Sequence, residues 1–247
     1  MQLDIIGSAG SYPAPDSTCS SYLVRSGGTS ILLDAGNGSQ SHLYRFIEPG
    51  DLSAIVISHS HMDHFADLIG IYHYLKYACP PKRPIPIFGT IDVLEKVKYL
   101  VGPGSIDRSI FNLNEIAAGS EIQVDHTLMR FYHANHPVPT LITRLRDHNS
   151  SMCYGADGDL SEGLFDASED SDLLLGESTW VERTDDLPTG LHLDALNLAS
   201  LAQSSRVRQL VITHVAYPAN KSKILEIVKK NYSGISHLAE DGLTFSF

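Results

Sequence analysis

The six residues HSHMDH, at positions 59–64, concentrate side chains that can bind a metal ion. Four of the six are such side chains: His59, His61, Asp63 and His64. Imidazoles and a carboxylate at this density would be costly to bury unpaired, and the imidazoles would repel one another once protonated, so a bound cation is their simplest stabilising partner. Nitrogen and carboxylate donors without sulfur suit Zn²⁺, and Mn²⁺ or Fe²⁺ also fits such a set. The stretch therefore predicts a metal site.

The segments around this stretch can hold its side chains in place. The apolar run AIVIS, residues 54–58, predicts a buried strand that ends just before His59, and helical periodicity begins at Met62. The segment QLVITH repeats the pattern of an apolar strand, a small hydroxyl residue and a histidine, and it ends at His214. Because residues at the carboxyl ends of buried strands can meet at one rim of a sheet, we expect both halves of the chain to contribute to one site.

Short strand-like runs recur along the whole chain and are interleaved with helical periodicity. The predicted strands cover residues 3–7, 21–25, 30–34, 54–58, 84–88, 121–125, 128–133, 141–145, 151–157, 172–177, 209–214 and 243–247. The predicted helices cover residues 62–78, 90–102, 192–205 and 221–232. No linker-like tract divides these elements, so the sequence predicts one layered α/β domain over residues 1–247. The run of strands in the first third argues against a purely parallel, doubly wound sheet.

Composition excludes several classes of protein. A chain of 247 residues with 43% apolar residues has the ordinary make-up of a globular domain. The formal net charge of −11 argues against an extended nucleic-acid-binding surface, which normally has a basic face. The three cysteines form no Cys-x-x-Cys pair and indicate neither a disulfide framework nor a thiolate zinc site. No apolar run is long enough for a membrane span and no secretory leader precedes the first strand, so we expect a cytoplasmic protein without membrane association.

The hexapeptide resembles the metallo-β-lactamase superfamily, whose signature His-x-His-x-Asp-His it matches without substitution. The resemblance implies a single-domain, four-layer αββα sandwich that holds two divalent metal ions. It also implies three further ligands downstream, and the chain offers His136 with His133 as a competitor, Asp157 with Asp159 as a competitor, and His214.

The resemblance further implies how these residues divide between the two metal ions. Three histidines would bind one metal ion: His59, His61 and His136. Three other residues would bind the second metal ion: Asp63, His64 and His214. Asp157 would bridge the two.

Within the superfamily, the sequence looks most like the ribonuclease Z and phosphodiesterase branch. The context HPVPT after Asn135, the glycine-bearing first loop IIGSAGSYPAPDSTCSSYLV and the strand SILLDAG carry this likeness. The branch implies that Asp34 supports the ligand loop, although a strand-ending turn residue is an equal interpretation. It also implies that Glu177 and His192 pair near the scissile phosphate, whereas the alternative interpretation is a polar cluster that caps a helix. Leu193 and Asp194 depart from the small hydroxyl residues that are more usual there.

These features together predict a metal-dependent phosphodiesterase for small nucleotides or short oligonucleotides. Two metal ions about 3.5–4 Å apart can lower the pKa of a bridging water and neutralise a phosphate, so that the resulting hydroxide attacks in line. By family carry-over Asp63 orients the nucleophile, and the glutamate–histidine pair protonates the leaving group or binds phosphate.

Other functions stay open at this point. They are a ribonuclease Z-type tRNA 3′ endonuclease, a thioester or lactone hydrolase, and a non-catalytic metal-binding module. Neither interval downstream of His136 has room for the inserted arm with which tRNA-processing relatives grip tRNA. We therefore expect a small phosphodiester substrate, and the family also suggests a homodimer.

Overall fold

The computed structural model describes residues 1–102 and 106–247, which form two seven-stranded sheets and seven α-helices. The strands of the first sheet come from the first half of the chain and the C-terminus: β1 (Gln2–Gly7), β2 (Ser21–Ser26), β3 (Thr29–Leu33), β4 (Ala54–Val56), β5 (Ile85–Gly89), β6 (Phe111–Glu115) and β14 (Thr244–Ser246). The second sheet contains β7 (Glu121–Val124), β8 (Thr127–His133), β9 (Leu141–Arg146), β10 (Ser151–Tyr154), β11 (Leu173–Glu177), β12 (Gln209–Thr213) and β13 (Ile235–Leu238). The helices are α1 (Ser39–Leu43), α2 (Met62–Phe65), α3 (Leu68–Tyr77), α4 (Ile91–Val101), α5 (Glu162–Ser168), α6 (Ala195–Ser204) and α7 (Lys221–Asn231).

Both sheets are mixed, and each places parallel strands where the predicted ligands lie. The first sheet has the order β14-β1-β2-β3-β4-β5-β6, with antiparallel pairs up to β3 and parallel pairs from β3 to β6. The second has the order β13-β12-β11-β10-β9-β8-β7, in which β10 to β13 are parallel. The mixed first sheet confirms the argument against a purely parallel one.

Three apolar clusters separate four layers. Side chains of both sheets form the inner cluster, including Val56 of β4, Phe131 of β8 and Val211 of β12. A second cluster packs α3 and α4 onto the outer face of the first sheet, and a third packs α5, α6 and α7 onto the outer face of the second sheet. The predicted αββα sandwich is confirmed.

The helix predicted over residues 62–78 is two helices, because tertiary hydrogen bonds interrupt it. Ala35, just after β3, donates its backbone N–H to the carbonyl of His64 and accepts the N–H of Asp67. The prediction of a strand over residues 151–157 was also too long, since β10 ends at Tyr154 and Ala156 adopts a left-handed conformation with φ of 52°.

The strands β6 and β13 and the short helices α1 and α5 are absent from the sequence-based prediction. β6 and β13 lie at the edges of their sheets, and every second residue of β13 is exposed, so neither is the continuous apolar run that marks a buried strand. All three cysteines are free; Cys19 and Cys153 are buried. Among the described residues, no helix combines the length and apolarity that crossing a bilayer requires.

Candidate metal centre

The ends of parallel strands bring the predicted ligands to one rim of the sandwich. In the first sheet, His59 follows β4, and α2 carries Asp63 and His64. In the second sheet, Asp157 follows β10 and His214 follows β12. The turn out of β12 places His214 itself in a left-handed conformation with φ of 53°. Such a conformation is costly for a residue with a side chain and is tolerated where surrounding contacts hold it.

One group of ligand atoms comprises His59, His61, His136 and Asp157, all within 4.8 Å of one another. Nδ1 of His61 lies 3.0 Å from Nε2 of His59 and 3.2 Å from Nε2 of His136. Oδ2 of Asp157 lies 3.8 Å from Nε2 of His59. The geometry places three imidazole nitrogens and one carboxylate oxygen around a single point.

The second group comprises Asp63, His64, Asp157 and His214, whose ligand atoms also lie within 4.8 Å of one another. Nε2 of His64 and Nε2 of His214 are 3.3 Å apart, and each lies 3.3 Å from Oδ2 of Asp157. Oδ2 of Asp63 is 3.3 Å from Nε2 of His214 and 3.5 Å from Nε2 of His64. Asp157 therefore belongs to both groups.

In several histidine rings one nitrogen donates a hydrogen bond, which leaves the lone pair of the other nitrogen facing the ligand groups. Nδ1 of His136 donates to the carbonyl of Leu191 at 2.9 Å, and Nδ1 of His64 donates to Oδ2 of Asp34 at 2.7 Å. A carbonyl or a carboxylate can only accept, so in the neutral rings Nε2 carries the lone pair.

Two hydroxyl groups fix the tautomers of the His59 and His214 rings in the same way. The Ser58 hydroxyl donates to Asp34 at 2.8 Å and can therefore only accept from Nδ1 of His59, 3.0 Å away. The Thr179 hydroxyl donates to Oε2 of Glu177 at 2.6 Å, so it accepts from Nδ1 of His214 at 2.8 Å. Partners of this kind orient metal-binding histidines and raise their basicity.

The pKa shifts of these histidines also favour a bound metal ion. Burial lowers the pKa of His59, His61 and His136, so these rings are neutral ligands near pH 7. Burial opposes the charged form of His64, but the carboxylates of Asp157 and Asp34 outweigh it and raise its pKa well above the ordinary value. A cation bound between these groups would replace that proton.

The donor set fits a divalent metal ion. Oδ1 of Asp157 is buried and has no hydrogen-bond donor in the described part of the chain, which is costly unless a cation lies beside it. The lone pairs of neighbouring imidazoles, separated by 3.0–3.3 Å, also need a positive charge between them. Residues in this arrangement can hold metal ions through nitrogen and oxygen atoms.

Asp34 is the anchor of this rim. Its fully buried carboxylate accepts the N–H of Ser58 at 2.7 Å and the hydroxyl of Tyr154 at 2.6 Å, besides the bonds from the Ser58 hydroxyl and His64. Of the two interpretations of Asp34, the structure shows the one in which this residue supports the ligand loop. Tyr154 went unrecognised in the sequence because it has the ordinary character of a buried strand residue.

Glu177 and His192 form a buried pair beside the ligand groups. Nδ1 of His192 donates to Oε1 of Glu177 at 2.9 Å. The centroid of the His192 ring lies 5.7 Å from the ring centroid of His136 and 5.4 Å from that of His214. Burial lowers the pKa of His192, but the hydrogen bond and charge of Glu177 outweigh this effect, so the net direction is upward. The helix-capping role falls to Asp194, which accepts the N–H groups of Leu196 and Asn197 at the start of α6.

The atoms of Glu177, His192 and His214 are close enough to suggest another metal position. The hydrogen bonds argue against it. Both oxygens of Glu177 already accept hydrogen bonds: Oε1 from Gly158 and His192, and Oε2 from Thr179. Glu177 thus positions His192 and, through Thr179, His214.

The two competing ligands lie outside both groups. His133 is exposed at the end of β8. Asp159 pairs with Arg183 at 3.0 Å and accepts the N–H of Gly190 at 2.9 Å, so it holds the segment that leads to His192.

The first loop of the chain also reaches the rim. A Cβ atom at Gly10 would lie 2.5 Å from the carbonyl oxygen of His214 and 2.8 Å from its Nδ1, so only glycine fits there. Asp241 anchors the same loop by accepting hydrogen bonds from Ser8, Ser17 and Thr18. Asp241 lies more than 200 residues away along the chain, and no local pattern in the sequence marks it.

Comparison with known proteins agrees with this architecture. The family model described as "Beta-lactamase superfamily domain" matches residues 29–215, which is more than half of the chain. The chain is 26% identical over 258 residues to the probable metallo-hydrolase YhfI of Bacillus subtilis, covering 99% of each protein. It is 23% identical over 301 residues to ribonuclease Z of Methanosarcina acetivorans, covering 98% of this chain and 96% of that protein.

Solved structures show the same fold. The crystal structure of YhfI from B. subtilis superposes with a TM-score of 0.89 at 23% identity, covering 99% of this chain and 98% of that one. The structure of a diphosphatase of the PhnP family has a TM-score of 0.77 at 16% identity, covering 100% and 97%. Together with the family match, these likenesses confirm what the hexapeptide indicated: the chain belongs to the metallo-β-lactamase superfamily, with a ribonuclease Z among its relatives.

Proposed function

We propose that the protein is a dinuclear metal-dependent phosphodiesterase that acts on a small nucleotide or a short oligonucleotide. The observation that carries the proposal is the joining of two ligand groups through Asp157 beside the Glu177–His192 pair. Relatives whose names describe a ribonuclease and a diphosphatase support chemistry at phosphorus.

In this proposal each ligand group holds one ion, and Zn²⁺ suits the nitrogen-rich set best, although Mn²⁺ or Fe²⁺ also fits. His59, His61 and His136 would hold one ion, Asp63, His64 and His214 would hold the other, and Asp157 belongs to both groups. When bound, such a pair of ions supplies an activated water and neutralises the charge of a phosphate.

Asp63 orients the attacking water. Its Oδ2 faces the imidazoles of His64 and His214, whereas its Oδ1 has no hydrogen-bond partner among the described residues. The carboxyl group is close to the rim surface, and its side chain is 13% exposed. Burial opposes ionisation of Asp63, but hydrogen bonding to His214 and the charge of His64 outweigh it and hold its pKa below the usual range, so Oδ1 is available as an acceptor for the proton of a water.

His192 donates the proton to the leaving group. Glu177 engages Nδ1, so Nε2 is the nitrogen that can face the substrate. The carboxylate stabilises the imidazolium form, which a proton donor to an alkoxide requires. Glu177 is buried behind the ring and acts as a positioning residue.

The chain has few means of holding a long nucleic acid at this rim. The segment between Asp157 and His214 is occupied by α5, β11, a loop and α6, and the segment between His136 and Asp157 by β9 and β10. Neither contains an inserted arm. A net charge of −11 adds repulsion for an extended polyanion, which favours a compact substrate with a single reacting phosphate.

The test of the function is hydrolysis of bis-p-nitrophenyl phosphate by protein loaded with Zn²⁺ or Mn²⁺. We expect metal-dependent release of p-nitrophenol, and we expect His61→Ala to lower kcat/KM by at least about 100-fold because a metal ligand is lost. His133→Ala is the matched control, since this exposed histidine lies three residues from His136 and outside both ligand groups. Wild-type protein that is no faster than His61→Ala would contradict the proposal.

The proton donor is tested by varying the leaving group. His192→Ala is expected to lower kcat about 100-fold on a phosphodiester with an alkyl leaving group, which needs protonation. On a p-nitrophenyl ester, whose leaving group is stable as an anion, the loss should be much smaller. Equal losses on both substrates would assign His192 to phosphate binding instead.

The likeness to ribonuclease Z favours a second candidate, a tRNA 3′ endonuclease. Parallel assays on precursor tRNA and on dinucleotides decide between the two. A kcat/KM for precursor tRNA that exceeds that for every dinucleotide would favour the endonuclease.

A further inference from the structure

A groove beside the candidate metal centre has features of a base-binding site. It is wide open to solvent and has a volume of about 430 Å³, within the roughly 300–1,000 Å³ of typical ligand pockets. Residues 179–182, 184 and 187 line one side, and residues 216–220 line the other. Its lining includes Trp180, Leu187, Tyr217 and Pro218, and we call it the Trp180 groove.

The groove begins at residues that touch the centre. The Thr179 hydroxyl contacts Nδ1 of His214 at 2.8 Å. The indole of Trp180 meets the His192 ring edge-to-face, with centroids 5.6 Å apart and planes at 89°. A leaving group that takes its proton from His192 therefore has its remaining atoms next to Trp180.

The walls are held in place by other contacts. The guanidinium carbon of Arg183 lies 5.2 Å from the centroid of the Trp180 ring. The same guanidinium group donates hydrogen bonds to both carboxylate oxygens of Asp159 and to the carbonyl of Pro188. On the other wall, the hydroxyl of Tyr12 donates to the carbonyl of Tyr217. Such pre-ordering lowers the entropic cost of binding a ligand.

The chemistry of the groove suits a flat, neutral group and not a phosphate. Tyr217 is 53% exposed, and Tyr12, beside it, is 49% exposed. Of the described residues that line the groove, none is Lys, Arg or His and one, Glu182, is acidic, while Arg183 over Trp180 is already neutralised by Asp159. Aromatic side chains in such a setting stack on nucleobases without needing a particular base.

We infer that the Trp180 groove binds the base of the nucleoside that leaves from the scissile phosphate. The inference rests on the proposed phosphodiesterase and narrows its substrate to diesters whose leaving group is a nucleoside. Trp180 and Tyr217 are then specificity-determining residues.

The chain offers a direct optical test, because Trp180 is its single tryptophan. Zn²⁺-loaded protein, excited at the red edge of tryptophan absorption, is titrated with adenosine 5′-monophosphate and, separately, with ribose 5-phosphate. The two probes carry the same phosphate and differ in the base. We expect saturable quenching by the nucleotide and no change with the sugar phosphate. An equal response to both probes, or no response to either, would overturn the inference.

Variants assign the signal to the groove. Tyr217→Ala is expected to weaken nucleotide binding roughly 5- to 100-fold, the range for loss of one base–aromatic contact, and Tyr217→Phe should retain it. Tyr99→Ala is the matched control, because Tyr99 is 81% exposed on α4, away from the groove. Wild-type affinity in Tyr217→Ala would place the base elsewhere.

The outcome is separable from that of the hydrolysis assay. Base-dependent quenching in a protein that fails to hydrolyse bis-p-nitrophenyl phosphate would keep the groove as a nucleotide site and reject the phosphodiesterase. Metal-dependent hydrolysis without base-dependent quenching would keep the phosphodiesterase and reject the groove as a base-binding site.

Discussion

Replacing Asp157 by alanine is expected to lower kcat for bis-p-nitrophenyl phosphate by at least about 1,000-fold and to reduce the metal content below two ions per chain. The reason is that one carboxylate serves both ligand groups. Oδ2 of Asp157 lies 3.3 Å from Nε2 of His64 and of His214, and 3.8 Å from Nε2 of His59. Removing it also takes away the negative charge that would offset the charge of two bound cations. Metal analysis by mass spectrometry and steady-state kinetics on the same sample measure both effects.

Asp159→Ala is the matched control for this substitution. Asp159 lies two residues away and binds Arg183 and Gly190, outside both ligand groups. We expect it to keep the metal content of the wild type. Two ions per chain in Asp157→Ala would remove the bridging role from Asp157.

The second large effect is expected from Asp34→Ala. The carboxylate of Asp34 is fully buried and accepts hydrogen bonds from Ser58, His64 and Tyr154, so its removal leaves buried donors without partners. Breaking a buried charged network in this way costs about 3–5 kcal/mol of the free energy of unfolding, which urea denaturation of the metal-free protein measures. Metal affinity should also fall about 10- to 100-fold, since the support of His64 and His59 is lost.

The control for Asp34→Ala must separate hydrogen bonding from backbone conformation. Asp34 has a φ of 59°, and Asp125, in the turn between β7 and β8, has a φ of 47°. The Asp125 side chain is 44% exposed, so Asp125→Ala removes an aspartate from a left-handed position without emptying a buried network. Similar destabilisation by both substitutions would show that the backbone, and not the network, accounts for the loss.

Residues from both sheets complete the hydrogen-bond networks around the ligand groups. Asp34 and Ser58 belong to the first sheet's loops, yet Tyr154 from the second sheet completes the same network. Glu177 and Thr179 perform the corresponding task for His214. The rings of His59, His64 and His214 are thus each held by a buried carboxylate, directly or through a hydroxyl group, and the Asp34 network needs residues of both sheets.

Much of this organisation was predictable from the chain alone. A dense set of histidines after an apolar run indicates both a metal and a strand end, and the predicted strands overlap twelve of the fourteen strands in the described part of the chain. The strands β6 and β13, whose segments FNLNE and ISHL contain no continuous apolar run, escaped prediction, whereas the edge strands β7 and β14 were recognised. The single predicted helix over residues 62–78 was wrong because bonds from Ala35 divide it.

The amino-acid sequence by itself determined which residues can do chemistry: the histidines and aspartates of the hexapeptide, and a short set of candidates downstream. Only the tertiary structure places His136 and Asp157 in the two ligand groups and leaves His133 and Asp159 outside them, since members of each pair are equal in type and nearly equal in position. It also showed which hydrogen bonds orient the rings of His59, His64, His136 and His214, and that Glu177 contacts His192 and Thr179. The physical reason is that a metal site depends on ligand atoms about 2 Å from the ion, and a hydrogen bond on atoms about 3 Å apart. Residues such as Asp34 and Tyr154, which are 120 positions apart in the chain, reach such distances only when two sheets pack face to face.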